Sequence, residues 1–210
     1  MTESDSNIMA GTTTVGIIFD NGIVLATEKR ATMGYLIASK RAKKIYKIND
    51  RIGMTTAGGV GDAQQLTRIM TVEANLFSIR RGRQMSVASG ATLLSNILHG
   101  NRLAPYYVQL LVGGFDESGP SVYSVDAVGG ASKEDDIVAT GSGSPMAYGV
   151  LEDRFVKGMH KDEAVQLAIR ALKAAMRRDA GSGEGIALVT ITKEEYREFS
   201  SEEIAAVVLT

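Results

Sequence analysis

The sequence predicts a layered α+β domain, and three observations carry that prediction. Segments rich in branched residues come in pairs joined by turn signals. Helical segments also come in pairs. The two kinds follow one another in blocks: strands, two helices, strands, two helices, strands. Blocks of this kind suit stacked sheets covered by helices, not an alternating βαβ fold. The 210 residues suit one large domain or two small ones. No internal linker, low-complexity tract or short-period repeat divides them.

Taken in order, "TTTVGIIFD" and "GIVLATE" read as a hairpin, because Asp20-Asn21-Gly22 between them is a strong turn signal. "KKIYKIND" and "RIGMTTAG" repeat the pattern around Asn49-Asp50. A helix is expected to begin near Asp62, with Asp62 as its cap and Leu66, Ile69, Met70, Leu76 and Phe77 at helical spacing. The basic run Arg80-Arg81-Gly82-Arg83 suits a helix end better than a nucleic-acid patch, since no aromatics interleave it. A second helix is expected over 86–99, stopped by Gly100. Strands follow in "YYVQLLVGGF", "SVYSVDAVG" and "DIVATGS". Helices over 145–155 and 161–178 come next, the latter with an apolar face of Val165, Ala168, Ile169, Leu172, Ala175 and Met176. "GIALVTIT" and "IAAVVLT" are expected to close the chain as strands.

Composition removes several kinds of chemistry. A net charge of -1 gives no basic field for nucleic acid or an anionic membrane. With no cysteine there is no disulfide, thiolate metal site or cysteine nucleophile. The first eleven residues, MTESDSNIMAG, have neither a basic start nor an apolar stretch, so a secretory signal is not expected. No apolar run reaches the ~20 residues of a membrane span. These readings place the protein in the cytoplasm.

Two glycine-rich turns lead from a strand into a helix: "AGGVGDAQ" (57–64) and "TGSGSP" (140–145). Neither fits a phosphate-binding motif, since no Lys-Ser/Thr pair and no βαβ setting accompanies them. Their N–H groups could instead serve an oxyanion. The two histidines, His99 and His160, fall at helix ends and read as structural. Hydrolysis would then need another base. A threonine hydroxyl paired with a chain-terminal amine is one such arrangement, because an α-amine titrates near ~7.7–8.0. "MAGTTTVGI" offers it: a cut between Gly11 and Thr12 would give Thr12 both nucleophile and base. The same stretch also reads simply as the start of a strand.

The motifs "GTTTVGI", "ATEKRATMG", "KKIYKI", "TTAGGVGDAQ", "YYVQLLVGGFD", "VDAVGG", "TGSGSPMAYGVLE" and "RRDAGSG" occur in that order. Together they resemble the catalytic β subunits of 20S proteasomes, in their archaeal form, over nearly everything from Gly11 to about Thr192. The resemblance implies an N-terminal-nucleophile hydrolase: a four-layer αββα sandwich of two antiparallel sheets between helix pairs. It implies a propeptide, residues 1–11, removed autocatalytically, and a single protease domain, residues 12–210. Thr12 would be the nucleophile of a threonine endopeptidase and Lys44 the catalytic lysine. Glu28 would hold Lys44, with Arg30 in support. Gly58 would supply an oxyanion N–H, a side chain there being expected to obstruct substrate. Ser142, Asp179 and Ser182 would surround the terminal amine. The threonines after Thr12 in the run are expected to be mainly scaffold. Ala31, Ala42, Thr56 and Val60 align with the specificity pocket, so a roomy, apolar, chymotrypsin-like preference is expected.

The family further implies homo-heptameric β rings stacked back to back, α-subunit rings, and an ATP-dependent unfoldase acting through them on unfolded protein substrates. No metal or cofactor is required. Three rivals bear weighing: a six-membered bacterial-type relative, an amidase of small molecules, and a silent ring subunit. The glycine-rich wording disfavours the first, and no substrate-binding insertion is evident for the second. Thr12, Lys44 and the glycine before Thr12 disfavour the third.

Overall fold

The computed structural model describes residues 11–209 of the chain. The expected propeptide therefore lies outside the described residues except for Gly11. The chain opens with β1 (Thr14–Phe19) and β2 (Gly22–Glu28), paired antiparallel with Phe19 opposite Gly22 across the expected turn. A small hairpin follows, β3 (Ala31–Met33) and β4 (Leu36–Ser39), turning at Gly34 with φ 60°. Next come β5 (Ile45–Lys47), β6 (Ile52–Gly58), α1 (Val60–Arg81) and α2 (Val87–Gly100). The strands β7 (Val108–Asp116), β8 (Gly119–Val125), β9 (Ala131–Glu134) and β10 (Ile137–Thr140) lead to α3 (Ser144–Arg154) and α4 (Lys161–Arg178). The chain ends with β11 (Ile186–Thr192), β12 (Tyr196–Glu198) and α5 (Ser201–Leu209).

Two five-stranded sheets result, ordered β10-β1-β2-β11-β12 and β5-β6-β7-β8-β9, with every pairing antiparallel. The α+β class therefore stands. Strand alternation explains how the sheets are buried. On β2, Val24 and Ala26 face one way, into a cluster with Val15, Ile17, Leu151, Ala168 and Leu172 of α3 and α4. Ile23 and Leu25 face the other way, against Leu111 and Val122 of the second sheet. That sheet turns Met54, Leu110 and Val112 toward Leu66, Met70, Leu94 and Leu98 of α1 and α2. β2 is thus buried on both faces, which is why its sequence is a continuous apolar run instead of an alternating one. Each such buried aliphatic contributes roughly 1.5–3 kcal/mol.

Three expectations fail locally. Asp62 does not cap α1: the cap is Gly59, and the Asp62 carboxylate, inside the first turn, accepts the Tyr107 N–H at 2.8 Å. Gly100 is the last residue of α2 and not the residue beyond it, with Asn101 as cap. Of the closing "IAAVVLT", Ile204 to Leu209 belong to α5, not to a strand. The reason lies just before it, where Glu203 N donates to Ser200 Oγ at 3.2 Å and Ser200 N to Glu203 at 2.8 Å. This reciprocal capping box starts a helix before the apolar run begins.

Candidate active site

Thr12 lies two residues before β1, an interior strand of its sheet, and is only 3% exposed. Its backbone is fixed by the turn after β10: Thr12 N donates to Ser142 Oγ at 3.2 Å, and Thr12 O accepts Gly143 N at 3.4 Å. Gly141, at φ 91°, has no room for a side chain, since a Cβ would stand 2.1 Å from Thr12 O. The hydroxyl donates to the Gly11 carbonyl at 2.6 Å and accepts Lys44 Nζ at 3.0 Å.

Lys44 reaches Thr12 from the segment leading into β5 and forms a buried ion pair with Glu28 at the end of β2. Glu28 is fully buried, and every direction around its carboxylate is used. Oε1 accepts Lys44 and Thr13 N (3.3 Å), while Oε2 accepts Arg30 N (2.6 Å) and Gly183 N (3.1 Å). Burial pushes the Lys44 ammonium below its ordinary pKa. The Glu28 charge and its hydrogen bond oppose that, with a smaller contribution from Asp179, while Arg30 adds to the lowering.

On the other side of Thr12, Asp179 at the end of α4 gathers two hydroxyls. Its Oδ2 accepts Ser142 Oγ at 2.7 Å and Ser182 Oγ at 2.6 Å. A hydrogen-bonded chain therefore runs from Thr12 N through Ser142 and Asp179 to Ser182. It extends to Thr13, whose hydroxyl lies 2.7 Å from Ser182 Oγ. The Thr13 hydroxyl is thus tied to the Ser182 end of that chain. Its signal was only its place in the threonine run, and its partner is 169 residues away.

Gly58 ends β6 beside Thr12 with φ 116°. The expectation that a side chain there would obstruct substrate is corrected. A Cβ would stand 2.1 Å from the Tyr107 carbonyl, so backbone crowding and the left-handed conformation demand glycine. Ala31, Ala42, Thr56 and Val60 do converge, with Thr12, Lys44 and Gly58, on one cleft of about 170 Å³. Gly11 runs against Gly181 so closely that a Cβ on either would lie 2.2 Å from the other's Cα.

Neither histidine belongs to this arrangement. His99 contacts the Val128 carbonyl at 3.3 Å, not its own helix end, and His160 meets Asp20 at 3.0 Å. No helix among the described residues is long and apolar enough to cross a membrane. A covered hydroxyl, a cation at hydrogen-bond distance and a carbonyl next door are the parts that nucleophilic attack on an acyl group requires.

The comparisons place the chain in a family. Residues 8–191 match the proteasome subunit family model. The proteasome subunit beta of Methanospirillum hungatei is 70% identical over 200 residues, covering 95% of this chain and 96% of the relative. That of Methanoregula boonei is 69% identical over 97% of this chain and 96% of its own length. The more distant Archaeoglobus fulgidus subunit is 58% identical over 97% and 96%. The chain belongs to the proteasome subunit family, as a β subunit of the 20S type. It is the threonine endopeptidase of that particle.

Proposed function

We propose that Thr12 becomes the N-terminal nucleophile of this endopeptidase by cleaving its own chain after Gly11. The observation that carries this reading is the pair of hydrogen bonds on the Thr12 hydroxyl, to the Gly11 carbonyl at 2.6 Å and from Lys44 at 3.0 Å. Attack of Oγ on the Gly11 carbonyl carbon breaks the Gly11–Thr12 C–N bond and passes the acyl group to oxygen as an ester. The Thr12 nitrogen takes up a proton and becomes a free α-amine. Water then hydrolyses the ester, releasing residues 1–11 with a new carboxylate.

In the mature enzyme the same oxygen attacks a substrate carbonyl, its proton passing through water to the α-amine. An ester forms, the amine product leaves, and water regenerates Thr12. Lys44, kept charged by Glu28, favours the free amine and the developing alkoxide. The Gly58 N–H stabilises the oxyanion, and loss of such a donor typically costs ~10²–10³ in rate. Ser142, Asp179 and Ser182 orient the amine, and Arg30 braces the Glu28 side. The small, uncharged lining from Ala31, Ala42, Thr56 and Val60 supports a chymotrypsin-like preference for one apolar side chain before the cut.

The setting is a four-layer N-terminal-nucleophile sandwich, assembled in heptameric β rings between α rings. An ATP-dependent unfoldase feeds the chamber in the cytoplasm. The test is intact mass after co-assembly with α subunits. Wild type is expected to lose residues 1–11 and to hydrolyse a fluorogenic peptide ending in an apolar residue. Thr12→Ala is expected to keep them and to be inactive. A fully assembled wild type that retains its leader overturns the mechanism.

A further inference from the structure

The loop between α4 and β11, residues 179–185, carries Asp179 and Ser182 to the site. It also holds a residue outside the chemistry above. Among the described residues, Glu184 is the one non-glycine with left-handed backbone, at φ 69°. A side chain with a Cβ disfavours that conformation, so surrounding contacts must hold it. The Glu184 carboxylate accepts Arg30 Nη2 at 2.9 Å and lies 3.8 Å from Lys40 Nζ, with its side chain only 20% exposed.

Arg30 turns that grip onto the rest of the loop. Its Nη1 donates to Ala180 O at 2.8 Å. Its guanidinium lies over Gly183, where a Cβ would stand 2.3 Å from Nη2. Its Nε is buried without a hydrogen-bond partner, so the guanidinium is already one acceptor short. Beneath it the loop backbone is stitched to the end of β2: Lys29 N is shared between Gly183 O and Gly185 O, and Gly183 N reaches Glu28. Glu28 is in turn the counter-ion of Lys44.

We propose that Glu184 is a positioning residue for hydrolysis at Thr12. By holding the Arg30 guanidinium over Gly183, it fixes the loop that presents the Gly183 N–H to Glu28 and the Asp179–Ser182 pair to Thr12 and Thr13. This rests on Thr12 being the nucleophile. Without the Glu184 carboxylate a second Arg30 donor loses its acceptor, the guanidinium reorients, and Gly183 is released. The charge balance at Lys44 also changes. The groups acting on it are Glu28 from β2, Asp179 from the end of α4, and Arg30. Arg30 lowers the Lys44 pKa, and Glu184 now offsets part of that cation's field.

The experiment compares assembled particles carrying wild type, Glu184→Gly, Glu184→Asn, Glu184→Asp and Thr12→Ala, checked for assembly by native mass. Glycine and asparagine both accept left-handed backbone, so they remove the carboxylate without adding strain. Both are expected to lower peptide-hydrolysis kcat by roughly tenfold to a hundredfold, as small misplacements of reacting groups do. KM should stay within about twofold. The alkaline limb of kcat should move to lower pH, and Glu184→Asp should recover most of the loss. Glycine and asparagine variants with wild-type kcat and an unmoved alkaline limb would overturn the proposal, as would a loss confined to KM. Thr12→Ala separates the two layers. If it turns over like wild type, the nucleophile assignment itself fails. If it is dead while Glu184→Gly is fully active, only the role of Glu184 fails.

Discussion

Lys44 and Lys47 stand three residues apart at the two ends of one short stretch, and each is paired with a carboxylate. Lys47 meets Asp50 at 2.7 Å with side chains 45% and 74% exposed. Lys44 meets Glu28 with side chains 8% and 0% exposed. The outer pair behaves as a surface ion pair does: Lys47 lowers the Asp50 pKa through its hydrogen bond and charge. Stability from that pair is present above the ordinary carboxylate range and is lost as pH falls. The inner pair has the opposite signature. Burial leaves folded Lys44 with a pKa below the ordinary lysine value of 10.5, so the unfolded chain binds more protons between the two values. Stability therefore rises as pH climbs through that window, and at neutral pH the buried ammonium is held against its own desolvation. A charge held at such a cost, 3.0 Å from a hydroxyl, suits the role proposed for Lys44 and not a gain in stability.

Breaking the inner pair from the lysine side should have the largest effect. Lys44→Met is expected to reduce peptide hydrolysis by the assembled particle on the order of 10³-fold or more. Activity within tenfold of wild type would erase the distinction between the pairs. Breaking it from the other side tests stability. Glu28→Gln leaves Lys44 unpaired, and the full chain is expected to melt roughly 6–12 °C lower by circular dichroism. Adding Lys44→Met should restore most of that loss without restoring activity, because a neutral buried pair has no charge to desolvate. The pH profile sharpens the contrast further. The alkaline limb of wild-type kcat should lie below 10.5, since it reports loss of the Lys44 proton. A limb at the ordinary lysine value would show that burial does not govern Lys44. Lys47→Ala should do least, leaving hydrolysis unchanged and moving the melting temperature by less than about 2 °C.

Much of the scaffold was legible because its signals are local. Asp20-Asn21-Gly22 places one hairpin, and the apolar period of Val165, Ala168, Ile169 and Leu172 places α4. Errors arose where a second interaction competed with the local signal. "IAAVVLT" has strand composition, yet Ser200 and Glu203 set the backbone first. Asp62 has the chemistry of a cap, but Tyr107, 45 residues on, takes its carboxylate. The site divides the same way. Thr12, Lys44 and Glu28 stand in motifs whose order along the chain marks them. The Thr13–Ser182 contact, the Gly183–Glu28 bond and the Arg30–Glu184 pair join residues more than 150 positions apart, and no local pattern announces them. Gly58 was found for one reason and is required by another, the Tyr107 carbonyl behind it.

Chain ends ordinarily fray, because a terminal residue has neighbours on one side only. The strand that follows Thr12 lies between two others, with Thr14 opposite Thr140 on one side and Thr27 on the other. The Thr12 carbonyl is tied to Gly143. An end created by cutting before Thr12 is consequently born without slack. The conformational entropy that a new terminus would gain is already withheld by the sheet, and the reactive group keeps its aim.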